Sequence, residues 1–305
     1  SFMKNLDKNI DGKFYANNVL KKIHPLSQSF LYKFNRRPSL AVIIVGENPA
    51  SKVYVKNKIR VAEENNIQSI EITLPTQTSE EELLKRIDAL NQEVEVDGIL
   101  VQLPLPKHIS EQKVINMISP EKDVDGFHPI NFGKLYMGIP NFIPCTPLGC
   151  LYMIKNEVRD LNGKNAVIIG RSNIVGKPMA SLLLSSNCTV TITHSKTENL
   201  KEHCKKADIL IAALGSPEII DDTYVNENTI IIDVGINRVE KPKEKVKSKL
   251  VGDVNYEKVY HLANKITPVP GGVGPMTIAC LMHNTIKAAY QNQKHNFIDL
   301  LEEHT

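Results

Sequence analysis

Several features are missing from this sequence, and each absence argues against a class of protein. Its five cysteines are scattered and include no C-x-x-C pair, which argues against a disulfide framework or a zinc site and is typical of a reducing compartment. No apolar run approaches the roughly 20 residues of a membrane span. No extended basic tract accompanies the net charge of +3, so no nucleic-acid surface is expected. We therefore predict a soluble cytoplasmic protein without membrane or nucleic-acid partners.

Strand and helix patterns alternate in two blocks along the 305 residues. The first block runs from the apolar strand "LAVIIVG" through "QSIEITL" to "DGILVQL", with a helix in each connection. The second contains the strands "NAVIIG", "CTVTIT", "DILIAAL" and "TIIIDVG". Such alternation predicts an α/β fold with parallel sheets and right-handed crossovers.

The two blocks predict two domains. We expect an N-terminal α/β domain over 1–147, completed by a C-terminal helix within 277–305, and a Rossmann-like domain over 148–276. The stretch from about 120 to 147 is expected to be irregular, and the lysine-rich run "VEKPKEKVKSK" (239–249) to be a solvated loop.

The stretch "VIIGRSNIVGKP" joins an apolar strand to a turn with two glycines. It lacks the spacing of a P-loop and has Ser172 and Val175 where the dinucleotide pattern G-x-G-x-x-G has glycine. Within an alternating sheet, however, a strand, a glycine turn and a helix amino end are the parts that hold a pyrophosphate. Gly170 makes the turn and Gly176 permits close helix packing, although a tight turn without a ligand is the plainer alternative.

The segment "THSKT" lies where an enzyme specific for NAD has an acidic residue on the ribose. No carboxylate is present there. Arg171, Ser172 and Ser195 are instead suited to donate hydrogen bonds to a 2′-phosphate. The sequence therefore predicts NADP as the cofactor.

A second constellation lies in the first block. Tyr54 and Lys58 stand four residues apart on a predicted helix, Gln102 ends the third strand, and Asp125 follows in "DVDGFHP". Three of these residues also have a plainer interpretation. Tyr54 could be a packing residue, Lys58 a solvated helix lysine and Asp125 a turn aspartate before glycine. A metal at the D-x-D pair is not expected, because no further carboxylate or histidine cluster lies nearby in the sequence.

Eight motifs occur in an order that is specific as a combination, namely "ASKVYVKNK", "DGILVQLPLP", "KDVDGFHP", "PCTPLG", "GRSNIVGKP", "DVGIN", "GDV" and "ITPVPGGVGPMT". With them the chain resembles the bifunctional methylenetetrahydrofolate dehydrogenase/cyclohydrolase family to about Asn292. The resemblance implies a folate-binding first domain, an NADP-binding second domain, both reactions in the cleft between them, and a homodimer that pairs through the cofactor domains. The tail after Asn292 lies beyond the family pattern.

The resemblance also implies roles for individual residues. Lys58 would transfer the proton in the hydrolysis. Gln102 would hold the Lys58 side chain, and Tyr54 would lie beside it and stack on the folate ring. Asp125 would bind the pterin. The family pattern further assigns substrate contacts to Pro270 and Gly272, and a cofactor contact to Ile236.

Two alternatives remain open from the sequence. One is a dehydrogenase with a similar two-domain plan that acts on another small substrate. The other is a folate- or nucleotide-binding protein without activity. The residues from "VQLPLP" to "DVDGF" favour folate, and the presence of both Lys58 and Asp125 argues against an inactive protein.

Overall fold

The computed structural model describes residues 7–240, 248–297, 299 and 301. The chain divides into two compact units. The first unit consists of Asn17–Cys145 and the described residues from Ile278 onwards, and the second consists of 7–16 and Thr146–Thr277. Most of the lysine-rich run and the last residues of the tail lie outside the described residues.

Helices and strands follow one another along the chain. The helices are α1 (Gly12–Phe34), α2 (Pro49–Glu64), α3 (Glu80–Gln92), α4 (Glu111–Met117), α5 (Pro129–Tyr136), α6 (Cys145–Glu157), α7 (Gly176–Ser185), α8 (Leu200–Lys205), α9 (Tyr256–Tyr260) and α10 (Val273–Asn292). The strands are β1 (Ser39–Val45), β2 (Gln68–Leu74), β3 (Gly98–Val101), β4 (Asn165–Ile169), β5 (Thr189–Thr193), β6 (Ile209–Ala212), β7 (Ile230–Asp233), β8 (Asn237–Glu240), β9 (Ser248–Val251) and β10 (Lys265–Ile266).

The first unit contains a parallel sheet with strand order β2-β1-β3. Every residue of β1 and β3 is buried, as expected for apolar strands of a parallel sheet covered on both faces. The helix α2 begins after Asn48, whose side chain accepts a hydrogen bond from the Ser51 N–H, and Pro49 occupies the first turn. The predicted β-α-β-α-β arrangement is thereby confirmed.

Two details of this unit differ from the sequence analysis. The helix α5 lies inside the stretch expected to be irregular, and it begins where the His128 ring nitrogen accepts a hydrogen bond from the Ile130 N–H. The sequence analysis also did not identify α1, a helix of 23 residues with Pro25 inside it. Both were hard to recognise because histidine is an uncommon cap and an internal proline usually ends a helix.

The second unit contains a five-stranded parallel sheet with strand order β10-β7-β6-β4-β5. The strands β6 and β7 are buried along their whole length. The described residues before Ala16 join this unit: the Ile10 N–H donates to the Ile266 carbonyl at 2.8 Å and the Gly12 N–H to the Gly271 carbonyl at 2.9 Å. The strands β8 and β9 form a separate antiparallel ribbon, so the two described ends of the lysine-rich run are strand rather than loop.

Two buried carboxylates hold the loops of the second unit. Asp233 accepts hydrogen bonds from the backbone N–H groups of Gly235, Asp253 and Val254 at 3.0–3.2 Å. Burial raises the pKa of Asp233 to about 7, with backbone donors opposing that rise. Asp253 accepts from the N–H groups of Leu214 and Gly215 and from the Asn237 side chain.

All five cysteines are buried as thiols, with no disulfide among them. Among the described residues, no group of three or more histidine, cysteine or carboxylate side chains is arranged to hold a metal ion. No helix in the described part of the chain is both long and apolar enough to cross a membrane.

A substitution at Gly252 tests how closely the backbone packs against the buried Asp233 carboxylate. A Cβ there would lie 1.7 Å from Oδ2 of Asp233, so we expect Gly252→Ala to lower the free energy of unfolding by about 1–3 kcal/mol or more. Gly274→Ala is the control, because a Cβ there meets no atom within 4 Å. Urea denaturation followed by circular dichroism measures both, and equal effects of the two substitutions would contradict the steric argument.

Candidate active site

The helix α2 presents Tyr54 and Lys58 on one face. They lie four residues apart, one helical turn, and α2 directly follows the carboxyl end of β1. Tyr54 is 38% exposed, and its hydroxyl has no hydrogen-bond partner among the described residues. Its ring is therefore open to contact with a ligand.

Lys58 is held by Gln102. The Lys58 ammonium donates a hydrogen bond of 2.8 Å to Oε1 of Gln102, and the Gln102 side-chain amide donates to the Leu103 carbonyl at 3.0 Å. These two partners fix which end of the Gln102 amide faces the lysine. Gln102 is buried directly after β3, where its backbone N–H bonds to the Ile43 carbonyl of β1. The sheet thus positions the group that orients Lys58.

Asp125 lies close enough to Lys58 for the two charges to interact. Burial raises the pKa of Asp125 to about 7, the Lys58 cation opposes that rise and the Asp123 carboxylate adds to it. The side chain keeps partial access to solvent, and it accepts no hydrogen bond from the described residues. A carboxylate with open acceptor positions beside a cation is suited to bind a ligand with N–H donors.

Asp123 has a different role from its neighbour in the D-x-D pair. It is 1% exposed and accepts hydrogen bonds from the Asn131 side chain and from the N–H groups of Phe127 and His128. These bonds close the turn after the aspartate pair. Asp123 therefore stabilises the loop, whereas Asp125 faces the space beside Lys58.

The sequence analysis did not identify Asn284, which lies behind the Asp125 loop. It is 1% exposed on α10, and its side-chain amide donates to the carbonyls of Val124 and Ile143, both at 2.9 Å. The sequence signal that could have identified Asn284 is an asparagine among the apolar residues of a helix, since a buried amide must find hydrogen-bond partners.

The glycine turn of the second unit has the geometry of an anion site. Gly170 has a φ of +126°, and a Cβ there would lie 2.3 Å from the Ala213 carbonyl oxygen. A Cβ on Gly176 would lie 2.4 Å from the Gly170 oxygen, so the start of α7 packs directly on the turn. The residues 171–174 between them are exposed, and among the described residues their backbone N–H groups have no acceptor. These free donors fit a pyrophosphate.

The three predicted donors to a 2′-phosphate follow two neighbouring strands. The strands β4 and β5 pair in parallel with Ile169 opposite Thr193, so Arg171 and Ser195 leave the same edge of the sheet. Both side chains are exposed. The Ser172 hydroxyl accepts hydrogen bonds from the N–H groups of Val175 and Gly176, which leaves its own proton to donate. The first four residues after β5, 194–197, include no acidic side chain.

The remaining predicted contacts lie further along the same sheet. Ile236 is 46% exposed on the turn after β7, beside the Asn237 side chain that Asp253 holds at 2.9 Å. Pro270 is exposed and Gly272 buried in the loop after β10. A Cβ on Gly272 would lie 2.3 Å from the Pro268 oxygen, so this loop is tightly folded.

The structure therefore brings the predicted residues together in two groups. Tyr54, Lys58, Gln102 and Asp125 lie in the first unit, and the eight others lie along the carboxyl ends of the second sheet. The second group fits a dinucleotide, because it combines free backbone donors, an exposed arginine and glycines that allow close approach.

Comparison with known proteins identifies a family for both parts of the chain. The family description "Tetrahydrofolate dehydrogenase/cyclohydrolase, catalytic domain" matches residues 10–125, and the corresponding "NAD(P)-binding domain" matches residues 144–293. The bifunctional protein FolD of Erythrobacter litoralis is 50% identical over 294 residues, which cover 96% of this chain and 98% of that protein.

Two solved structures are similar over nearly their whole length. The bifunctional FolD enzyme of Campylobacter jejuni is 46% identical with a TM-score of 0.88, and the match covers 92% of this chain and 98% of that one. The Trypanosoma brucei enzyme, solved with NADP cofactor and an inhibitor, is 33% identical with a TM-score of 0.89, covering 94% of this chain and 98% of that one. The predicted family and two-domain α/β fold are confirmed, and the chain belongs to the tetrahydrofolate dehydrogenase/cyclohydrolase family.

Proposed function

We propose that this protein oxidises 5,10-methylenetetrahydrofolate with NADP and hydrolyses the resulting 5,10-methenyltetrahydrofolate to 10-formyltetrahydrofolate. The observation that carries the proposal is the 2.8 Å hydrogen bond between Lys58 and Gln102 beside Asp125, in a chain of this family. A lysine oriented by an amide and facing a carboxylate with open acceptors provides both a proton carrier and a substrate anchor.

In the oxidation the protein mainly positions its ligands. Bound NADP supplies the hydride acceptor. Asp125 and Tyr54 hold the folate ring system, and the folded glycine loop that contains Pro270 and Gly272 lets the backbone approach the ligands closely. Holding the reacting groups in a near-attack geometry accounts for the catalysis of this step.

The hydrolysis requires proton transfer, and Lys58 is placed to perform it. Water forms a C–O bond to the methenyl carbon and gives one proton to Lys58, which acts in this step as the neutral amine and becomes the ammonium. The adduct then opens by breaking its bond to N5, which gains a proton as the hydroxyl loses its own. The products are 10-formyltetrahydrofolate and one released proton. Because Gln102 accepts one Lys58 N–H, the amine keeps a fixed direction throughout.

Asp125 provides the pterin contact. The pterin amino group and ring N–H form two parallel donors, which match the two oxygens of one carboxylate. Since the described residues leave the Asp125 oxygens without donors, both remain available for this pair. Each charge-assisted bond contributes about 1.5–3 kcal/mol.

Substitution of Lys58 separates the two reactions. We expect Lys58→Met to abolish hydrolysis of methenyltetrahydrofolate while folate binding persists, because only that step moves a proton. Lys56→Met is the matched control, an exposed lysine on the same helix that should leave both rates unchanged. Normal cyclohydrolase activity in Lys58→Met would remove this residue from the mechanism.

The pH profile of the oxidation tests Asp125. Its pKa of about 7 means that the carboxylate, which the pterin donors require, is lost as pH falls below 7. We expect kcat/KM for methylenetetrahydrofolate to rise about tenfold per pH unit below that pKa and to level off above it, as for a single ionising group in the free enzyme. In Asp125→Ala this rise should disappear together with most folate affinity. A wild-type profile that is flat from pH 6 to 8 would contradict the assignment.

NADP rather than NAD is the preferred cofactor in this proposal. In it, Arg171, Ser172 and Ser195 bind the 2′-phosphate of the ribose, and residues 194–197 after β5 offer no carboxylate for a free hydroxyl. The similar Trypanosoma brucei enzyme was solved with NADP. A guanidinium suits the phosphate because it makes two parallel charge-assisted bonds.

Arg171→Ala tests this preference. An interaction of about 1.5–3 kcal/mol supports a roughly tenfold to hundredfold preference for NADP, and most of it should disappear in Arg171→Ala. The measurement is the ratio of kcat/KM for NADP to that for NAD. Arg159→Ala, which removes an exposed arginine from another loop, should not change the ratio. A wild-type ratio of kcat/KM near one would mean that Arg171 does not bind the 2′-phosphate.

We also infer a cytoplasmic homodimer that pairs through the second unit. Five buried cysteines without a disulfide among them agree with a reducing compartment. The homodimer and its pairing face both rest on the family resemblance. Measuring the mass of the protein in solution tests whether it is a dimer.

A further inference from the structure

Four polar side chains are buried on α10. Thr285 is 0% exposed and donates to the Leu281 carbonyl of its own helix. The other three, His283 at 0% exposed, Asn284 at 1% and Lys287 at 7%, find partners outside the helix or beside them on it. Burying such groups is costly unless each meets a partner. Their partners show what this part of the helix does.

Asn284 joins the Asp125 turn to the segment around Ile143 that supports it. Its amide donates to the carbonyl of Val124, the residue before Asp125, and to the carbonyl of Ile143, both at 2.9 Å. A Cβ on Gly126 would lie 3.0 Å from the Ile143 carbonyl carbon, so the residue after Asp125 packs against the same segment. One side chain therefore sets the separation between the Asp125 turn and its support.

The orientation of Asn284 is set by His283. Both amide protons point to carbonyls, so Oδ1 of Asn284 faces the other way and lies 3.0 Å from Nδ1 of His283. The second ring nitrogen, Nε2, lies 2.8 Å from Oδ1 of Asp299. Since Oδ1 of Asn284 is an acceptor, Nδ1 of His283 donates to it, and Nε2 faces the Asp299 carboxylate.

Asp299 belongs to the tail beyond residue 293, where the match to the family ends. Its second oxygen lies 3.3 Å from the Lys287 ammonium, which also donates to the Asn141 carbonyl at 2.8 Å. The Phe297 ring lies 5.6 Å from the rings of His283 and Tyr290, and Leu301 is fully buried. Phe297 and Asp299 of the tail thus pack on α10, and the Asp299 carboxylate contacts both His283 and Lys287.

These contacts form one continuous chain. It runs from Asp299 through His283 and Asn284 to the carbonyl of Val124, which precedes Asp125, and to the carbonyl of Ile143. We propose that Asn284 is a positioning residue for Asp125 and that the tail, through Asp299, holds Asn284 in place. This inference rests on the proposed function, in which Asp125 binds the pterin of the substrate.

The proposal makes folate affinity, rather than catalytic turnover or cofactor affinity, depend on these residues. Two parallel hydrogen bonds to one carboxylate require an accurate position, so a small shift of the turn weakens both. The shift does not touch Arg171 or the rest of the second unit. Lys58 is held separately by Gln102.

The experiment measures KM for methylenetetrahydrofolate, KM for NADP and kcat in Asn284→Ala and Asp299→Asn. We expect folate KM to rise roughly tenfold, as for a displaced binding group, with NADP KM and kcat within about twofold of wild type. Asp299→Glu, which keeps the carboxylate, should recover part of the affinity. Asn296→Ala is the control, an exposed tail residue whose side chain has no hydrogen-bond partner among the described residues.

A double substitution separates this proposal from the proposed function. If Asn284 acts through Asp125, adding Asn284→Ala to Asp125→Ala changes folate KM less than about twofold, because coupled residues are not additive. A fully additive increase overturns the proposal. Unchanged folate KM in both single variants, or an equal loss of kcat and of affinity for both ligands, also overturns it. Unchanged folate KM in Asp125→Ala itself would instead refute the proposed pterin contact, and with it the reason for positioning.

Discussion

The parallel strands, buried on both faces, are the constraint on which the functional groups depend. Strands such as β1, β3, β6 and β7 expose no residue, so they provide no place for a reactive side chain along their length. Polar groups must follow the strand ends, where the chain turns into a helix or loop. Gln102 after β3 and Arg171 after β4 both occupy such positions. The chemistry is therefore confined to one edge of each sheet.

The buried carboxylates differ in how their oxygens are satisfied. Asp123, Asp233 and Asp253 each accept hydrogen bonds from at least two groups of their own unit, and they stabilise turns. Asp125 accepts none from the described residues, although burial raises its pKa to about 7. Leaving a partly buried acid without donors costs stability, which is characteristic of a group reserved for a ligand.

Support for the site comes from groups that lie behind it. Gln102 holds Lys58 and is itself fixed by the Leu103 carbonyl, and Asn284 holds the backbone beside Asp125. Each supporting amide has partners that determine its orientation. A site built this way keeps its geometry without ligand, because the cost of ordering the side chains was met on folding.

The sequence by itself determined the family, the alternation of strands and helices and the glycine turn, because these depend on neighbours along the chain. It also nominated Lys58 and Gln102, but their 2.8 Å contact joins residues 44 positions apart and only the tertiary structure establishes it. The roles of Asp123 and Asn284 were decided in the same way. An aspartate in a turn and an asparagine on a helix have many possible partners, and which one each meets depends on how distant segments pack.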